Sequence, residues 1–247
     1  MSVKKEEASN NYQITPILSS PLNGLDCLRS IDSLYISQQV SWTEAMCGIA
    51  SEAKFDIFND KRERIFQAIE TSTFWQRLLC TTKRSFTLRI LDNNNQDIII
   101  LKRELKCCSG CCWCANMQCC SQELTAESPP GTFIGTVSQE GSCWRSMFKI
   151  KDAADNHVLT VQGPLLTCDS PCTCCCENKF ALLGTDGITE IGAIYKKYRG
   201  YFQEALTSAD AFLLKVPMDL DVKIKAMSLA ALFLIEYMIF SAVPQKN

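Results

Sequence analysis

The chain is poor in the residues that soluble enzymes use for acid–base and nucleophilic chemistry. It has one histidine, His157, in 247 residues, and it contains neither a Gly-x-Ser-x-Gly elbow nor a glycine-rich phosphate loop. A single imidazole leaves few geometries for a Cys-His pair or a Ser-His-Asp triad. We therefore predict no covalent catalysis, and we interpret His157, which follows an Asp-Asn turn, as a solvated hairpin residue.

The N-terminus also lacks common targeting signals. It has no apolar secretory segment, and position 2 is serine rather than the glycine that accepts myristate. We expect the body of the protein in the cytosol. The net charge of −2 provides no global basic field, so nucleic acid is a disfavoured partner. The local basic stretch Lys196-Lys197-Tyr198-Arg199 is interpreted as a solvated face.

Cysteine, in contrast, is abundant, with sixteen copies. A reducing cytosol disfavours a disulfide scaffold, so the thiols need another explanation. Most of them fall in two runs, at residues 107–120 and 168–176. The first run contains Cys107, Cys108, Cys111, Cys112, Cys114, Cys119 and Cys120, and the second contains Cys168, Cys172, Cys174, Cys175 and Cys176.

The first run has three interpretations. Neighbouring thiols suit palmitoylation, because several acyl chains hold a protein on a membrane firmly whereas one holds it weakly. The spacing Cys108-Ser-Gly-Cys111 also supplies one zinc knuckle, although the adjacent doublets give no clean second one. The remaining alternative is that the cysteines are structural. The second run lies between strand signals and favours a structural or metal-binding role.

The order of elements along the chain predicts a mostly β protein. Residues 1–24 are polar and indicate a short disordered arm. Residues 25–225 form the predicted β domain, and from Leu25 to Gly200 one unit recurs, in which an apolar strand, a turn of Asp, Asn or Gly, and a second apolar strand follow one another. The clearest copies begin at Phe55, Phe86, Phe148 and Phe180. Hairpins in series are typical of a sandwich or a closed barrel, and the default position of Arg84, Arg89, Lys149 and Lys151 is the solvent face.

The segment 226–243 has eighteen residues and one charge, Glu236. As a helix it would extend about 27 Å, slightly less than the roughly 30 Å of a bilayer core. Glu236 would cost about 3 kcal/mol in lipid, whereas a barrel interior can offer it an inward arginine or backbone amides. We favour a core helix containing Ala226, Phe233, Glu236 and Phe240. A single-pass membrane helix with a cytosolic N-terminus, as the preceding lysines indicate, is the alternative.

Several stretches together resemble the phospholipid scramblase family. They include Phe86-Thr-Leu-Arg-Ile-Leu-Asp92, Ser128-Pro-Pro-Gly131, and the most specific one, Pro217-Met-Asp-Leu-Asp-Val-Lys-Ile-Lys-Ala226 followed by Phe233-Leu-Ile-Glu-Tyr-Met238. The resemblance covers roughly residues 25–241. It implies a Tubby-like fold, a closed antiparallel barrel of about twelve strands around a hydrophobic C-terminal helix.

The resemblance also implies a function. It predicts calcium-stimulated, ATP-independent movement of phospholipids in both directions between leaflets, palmitoylation of the first cysteine run, and residence at the plasma membrane. Membrane phospholipids would be the main partners, with protein partners and self-association left open. The polar arm is short for the family, so a palmitoylated adaptor that moves no lipid is the alternative function. An altered import-like segment at residues 192–200 leaves a nuclear location open.

By family position, a twelve-residue calcium loop runs from Ser208 to Asp219. Its candidate ligands are Ser208, Asp210, Asp219 and the following Asp221. An efficient EF-hand loop has several carboxylates, glycine at its sixth position and glutamate at its twelfth, so this loop predicts a weak site near the millimolar range. The alternative is that residues 211–216 form the last strand, with Asp219 in a turn and Asp221 at the N-terminus of the helix.

Overall fold

The computed structural model describes residues 24–39, 52–72, 85–106, 113–117, 119–165, 167, 178–197 and 211–241. The polar arm before residue 24 and the second cysteine run lie outside the described residues. The described part contains twelve strands and one C-terminal helix. The predicted mostly β fold is confirmed.

The strands are β1 (Ser33–Gln38), β2 (Lys54–Phe58), β3 (Arg64–Thr71), β4 (Phe86–Leu91), β5 (Asp97–Arg103), β6 (Glu123–Glu127), β7 (Phe133–Glu140), β8 (Met147–Asp152), β9 (His157–Gln162), β10 (Lys179–Leu183), β11 (Glu190–Lys197) and β12 (Ala211–Lys215). The helix α1 (Val222–Ile235) continues as a π-helical segment (Glu236–Phe240). Two 3₁₀ turns occur, at Gly24–Leu28 and Trp113–Asn116.

The recurring sequence unit forms hairpins because its turn residues satisfy their own backbone. In the β4–β5 turn, Oδ1 of Asp92 accepts hydrogen bonds from the N–H groups of Asn94 and Gln96, each at 2.8 Å. Asp152 plays the same part in the β8–β9 turn. A residue with positive φ follows in each, at 59° for Asn95 and 64° for Asp155, a conformation that Asn and Asp tolerate well. The predicted hairpins are confirmed.

The sheet closes into a barrel. Each strand pairs antiparallel with the next one in the chain, and β1 pairs with β12, where Ile36 lies opposite Phe212. Within the strands, buried apolar side chains alternate with more exposed ones, as expected when one face lines a filled interior. The closed barrel is thus confirmed over the sandwich.

Arg89, Lys149 and Lys151 lie on the outer face of their strands, as the period predicts, because each alternates with buried residues. Arg89 is exposed on β4 and forms two hydrogen bonds with the carboxylate of Asp97, at 2.9 and 2.8 Å. Lys149 and Lys151 are half-buried, and Arg84 lies outside the described residues. His157 is half-buried, with a ring nitrogen 3.0 Å from Oγ1 of Thr160, so it is less solvated than predicted.

Alternating strand direction divides the connections between the two ends of the barrel. Connections after odd-numbered strands, including the described parts of 104–122 and 141–146, form what we call the cysteine end, because the exposed cysteines Cys114, Cys119 and Cys143 lie on them. The opposite end, which we call the acidic end, comprises residues 24–32, 59–63, 92–96, 128–132, 153–156, 184–189 and 216–221. These residues include nine carboxylates and three basic side chains, so this end is strongly negative.

The helix α1 enters the barrel from the acidic end and fills it. No residue from Lys225 to Tyr237 is more than 2% exposed. Phe233 packs against Phe55 of β2, with ring centroids 5.3 Å apart, and Phe240 packs against Phe212 of β12 at 5.6 Å. Because strands surround the helix, all of its faces are apolar. The predicted core helix is confirmed.

The helix begins earlier than the apolar segment indicates. It starts at Val222 rather than at Ala226, since Asp221 caps it. Within the described part of the chain, none of the helices combines the length and the hydropathy that crossing a membrane requires.

Candidate functional site

The barrel interior near the cysteine end holds a buried ion pair. Nζ of Lys196, on β11, lies 3.6 Å from Oε2 of Glu236, and their side chains are 0% and 3% exposed. The ammonium also lies over the rings of Phe212 and Phe240, at 4.4 and 4.5 Å from their centroids. Phenylalanine faces attract a cation, so the two rings add a cation–π contact to the ion pair.

Two predictions about these residues need correction. Lys196 belongs to a stretch interpreted as a solvated face, yet it points inward, because it lies two residues after buried Ile194 on the same face of β11. The partner found for Glu236 is this lysine rather than an arginine. The period of two in β11 was the signal that could have found it.

A second buried carboxylate ties the end of the helix to the barrel wall. The hydroxyl of Tyr237 donates a hydrogen bond of 2.8 Å to Oε2 of Glu70 on β3. Oγ of Ser72 donates to the other oxygen of Glu70 at 2.6 Å. Tyr237 also stacks on Phe86, with ring centroids 4.1 Å apart. These contacts fix the π-helical segment, a geometry that often occurs at functional positions.

Lys225 forms a polar anchor at the acidic end. Its Nζ lies within hydrogen-bond distance of four backbone carbonyl oxygens, which share its three N–H donors: those of Leu28, Arg29, Ile31 and Met218, at 2.7 to 3.2 Å. Burial lowers the pKa of Lys225, and the negative charges of Asp219 and Asp32 oppose that effect. One side chain thus joins α1 to the 3₁₀ turn before β1 and to the turn after β12.

The predicted calcium ligands lie on both sides of β12. Ser208 and Asp210 precede the strand and lie outside the described residues. Asp219 is exposed in the turn after it, and Asp221 caps α1, with Oδ1 accepting from the N–H of Lys223 at 2.8 Å. From Ala211 to Lys215 the extended strand covers about 13 Å. Residues 211–215 pair with β1 and β11 on either side.

No cluster of three or more His, Cys, Asp or Glu side chains that could hold a metal is found among the described residues. The calcium site therefore stays a prediction, as does a zinc site in the cysteine runs. Of the predicted ligands, Asp219 and Asp221 lie at the acidic end.

Three cysteines of the first run are described. Cys114 and Cys119 are exposed, whereas Cys120 is buried at 6% exposure. Palmitoylation needs an accessible thiol, so the first two meet this requirement and Cys120 does not in this conformation. The other four, Cys107, Cys108, Cys111 and Cys112, lie outside the described residues. Cys143, outside both runs, is also exposed at the cysteine end.

A pocket of about 320 Å³ opens at the acidic end, between the start of α1 and the β8–β9 hairpin. Its floor is apolar and includes Ile150, Ile224 and Met227. Lys151 and Lys223 line it together with Asp152 and Asp221. Its lining thus combines an apolar floor with charges of both signs.

By its architecture the protein is an antiparallel barrel filled by its own C-terminal helix. A family model described as Scramblase matches residues 11–242. Mouse phospholipid scramblase 1 is 37% identical over 228 residues, which are 91% of this chain and 67% of that protein. Human phospholipid scramblase 1 is 37% identical over 230 residues, 92% of this chain and 70% of that protein.

Human phospholipid scramblase family member 5 is 36% identical over 225 residues, 91% of this chain and 79% of that protein. The chain therefore belongs to the scramblase family. No solved structure matches it.

Proposed function

We propose that this protein moves phospholipids between membrane leaflets, in both directions and without ATP, when calcium rises. The observation that carries the proposal is the family match, which spans the whole barrel and its helix. The relatives it resembles are named phospholipid scramblases. Exchange of lipids between leaflets makes and breaks no covalent bond, so it needs none of the catalytic residues that the sequence lacks.

A second function, that of a membrane-bound adaptor that moves no lipid, is favoured by the filled interior. The centre of the barrel is occupied by α1 from Lys225 to Tyr237. A lipid headgroup would therefore have to travel along the outside of the barrel, or α1 would have to move. An adaptor requires neither transport of a headgroup along the barrel nor movement of α1.

Reconstitution separates the two functions. The purified full-length chain is placed in vesicles whose phosphatidylcholine carries a fluorescent headgroup, and the accessible fraction is measured with a membrane-impermeant quencher. Scrambling predicts that millimolar calcium, without ATP, exposes label from the inner leaflet and transfers outer label inward, while magnesium does not. No transfer in either direction at millimolar calcium would overturn scrambling and leave the adaptor.

We also propose that calcium binds weakly through Ser208, Asp210, Asp219 and Asp221. Along the chain, β12 lies between the first two of these residues and the last two. The variants Asp210→Asn and Asp219→Asn should each weaken calcium binding in a calorimetric titration, with exposed Asp155→Asn as the matched control. Equal affinity in all three variants would overturn these assignments.

Covalent palmitate is proposed on the first cysteine run, with residence on the cytosolic face of the plasma membrane. The exposed thiols of Cys114 and Cys119 support it. Hydroxylamine-sensitive acylation in cells should fall in the double variant Cys114→Ser/Cys119→Ser and stay unchanged in Cys27→Ser. Stoichiometric zinc in the unacylated protein would instead support the metal interpretation.

A further inference from the structure

Four large apolar side chains are exposed among the described residues of the cysteine end. The exposed fractions are 81% for Trp144, 60% for Met117, 60% for Leu165 and 46% for Leu105. They lie on the β5–β6, β7–β8 and β9–β10 connections, which follow one another around the barrel because β5 to β10 are adjacent in order. We call these four residues the Trp144 rim.

Trp144 is held outward by its turn. Oγ of Ser142 donates to the carbonyl of Arg145, which closes a short loop with Cys143 and Trp144 at its tip. The loop rests on the 3₁₀ turn Trp113–Asn116, since a Cβ added at Gly141 would lie only 2.1 Å from Oδ1 of Asn116. The two connections therefore pack against each other, and Trp144 lies exposed at the tip of one of them.

Accessible thiols lie on the same connections as the rim. Cys114 and Cys119 belong to the β5–β6 connection with Met117, and Cys143 directly precedes Trp144. Acyl chains attached to any of these thiols would therefore leave the protein at the end where the indole is exposed.

The charges of the two ends also distinguish which end an anionic membrane would contact. The described connecting residues of the cysteine end carry two carboxylates, Glu52 and Glu104, and two basic side chains, Lys106 and Arg145. The connections of the acidic end carry nine carboxylates against three basic side chains, and the start of α1 adds Lys223 and Lys225. An anionic leaflet attracts basic groups and repels acidic ones, so it would accept the neutral end and reject the acidic end.

Exposed apolar residues also occur at the acidic end, but neighbouring carboxylates disfavour their insertion into an anionic membrane. Ile188 is 83% exposed and Met218 is 59% exposed. Asp186 lies two residues before Ile188, and Asp219 follows Met218 directly. Inserting either side chain into a bilayer would carry a carboxylate towards anionic headgroups.

We propose that the protein docks on a phospholipid bilayer through its cysteine end, with the Trp144 rim in the headgroup region and the acidic end facing water. Tryptophan is the side chain most suited to this region, because its ring is apolar and its indole N–H is polar. The orientation rests on the membrane association in the proposed function and adds to it which face makes contact.

The test compares two matched substitutions in the full-length, unacylated chain. Trp144→Asp and Ile188→Asp each replace a side chain exposed by more than 80% with one carboxylate. Binding to vesicles of phosphatidylcholine and phosphatidylserine is measured by co-sedimentation. Trp144→Asp should lower the partition coefficient about tenfold or more, because it removes a large apolar surface from the interface, whereas Ile188→Asp should change it less than about twofold.

Circular dichroism melts of both variants serve as the control for folding. A smaller effect of Trp144→Asp than of Ile188→Asp, equal effects of both, or failure of the wild-type chain to bind these vesicles would overturn the orientation. Loss of self-association in Trp144→Asp, seen by sedimentation velocity with vesicle binding unchanged, would assign the rim to a second copy of the chain and overturn it too.

A direct contact measurement complements the binding assay. Vesicles with brominated acyl chains should quench wild-type tryptophan fluorescence more than that of Trp144→Phe. The outcome is independent of lipid transfer. A chain that binds through Trp144 but moves no lipid refutes scrambling and retains the orientation. A chain that moves lipid without quenching of Trp144 supports scrambling and overturns the orientation.

Discussion

Nζ of Lys196 and Oε2 of Glu236 lie 3.6 Å apart inside the barrel, where strand β11 meets the end of the central helix. Glu236 is the one charge in the apolar C-terminal segment. Its carboxylate would be costly in a low-dielectric interior without a cation beside it. The pair therefore explains how an acidic residue is accommodated in a helix that is buried on all sides.

Breaking this pair should destabilise the protein strongly, while removing both charges should not. Lys196→Met or Glu236→Leu alone should lower the free energy of unfolding by about 3–5 kcal/mol, because each leaves one buried charge without its partner. The double variant should recover most of that loss. Urea unfolding of the four proteins gives the coupling energy, and additive losses would contradict a mutual role.

Lys225→Met should destabilise the barrel at its acidic end. Four carbonyls would lose a charged donor, which is expected to cost about 3 kcal/mol. For a protein of this size that corresponds to a fall in Tm of about 6–12 °C. Calorimetry measures the Tm of Lys225→Met and of the exposed control Lys223→Met. Equal shifts would show that the four contacts contribute little.

Substitution of Asp221 can separate capping from calcium binding. Asp221→Ala should lower the free energy of unfolding by about 1 kcal/mol, because the N–H of Lys223 loses its acceptor. Asp221→Ser keeps a capping oxygen and should stay close to wild type. Serine nevertheless lacks the carboxylate, so a calcium ligand role predicts weaker calcium binding in both variants. Unchanged binding in both would leave Asp221 as a cap alone.

The thiol of Cys27 should react slowly at ordinary pH. Desolvation raises its pKa to about 11, and the negative charge of Asp26 adds to the effect. At pH 8 only about one molecule in a thousand would carry the reactive thiolate. Alkylation by iodoacetamide, followed by mass spectrometry, should accelerate about tenfold per pH unit up to about pH 11. A peptide of residues 24–30 is the control, and equal rates at pH 8 would contradict the shift.

Much of the fold follows from local pattern. The hairpins beginning at Phe86 and Phe148 could be predicted because alternating apolar residues flank Asp and Asn turns, and those turns close through their own side chains. The sequence also marked the helix as a core element, since Glu236 is more costly in lipid than beside a partner.

The sites were harder to predict. A run of basic residues is usually solvated, which predicts Lys196 at the surface, whereas the alternation within β11 places it inside the barrel. Cys143 and Trp144 stood out in no motif, because exposure is a property of the folded loop.

The sequence by itself determined the strands, their turns and the apolar helix, because these depend on interactions between residues close in the chain. Only the tertiary structure decided which distant groups meet, such as Lys196 with Glu236 and Tyr237 with Glu70. Closure of β1 on β12 also fixed which connections share an end. Barrel closure and helix insertion bring together residues up to about two hundred positions apart, so local pattern does not specify which side chains pair.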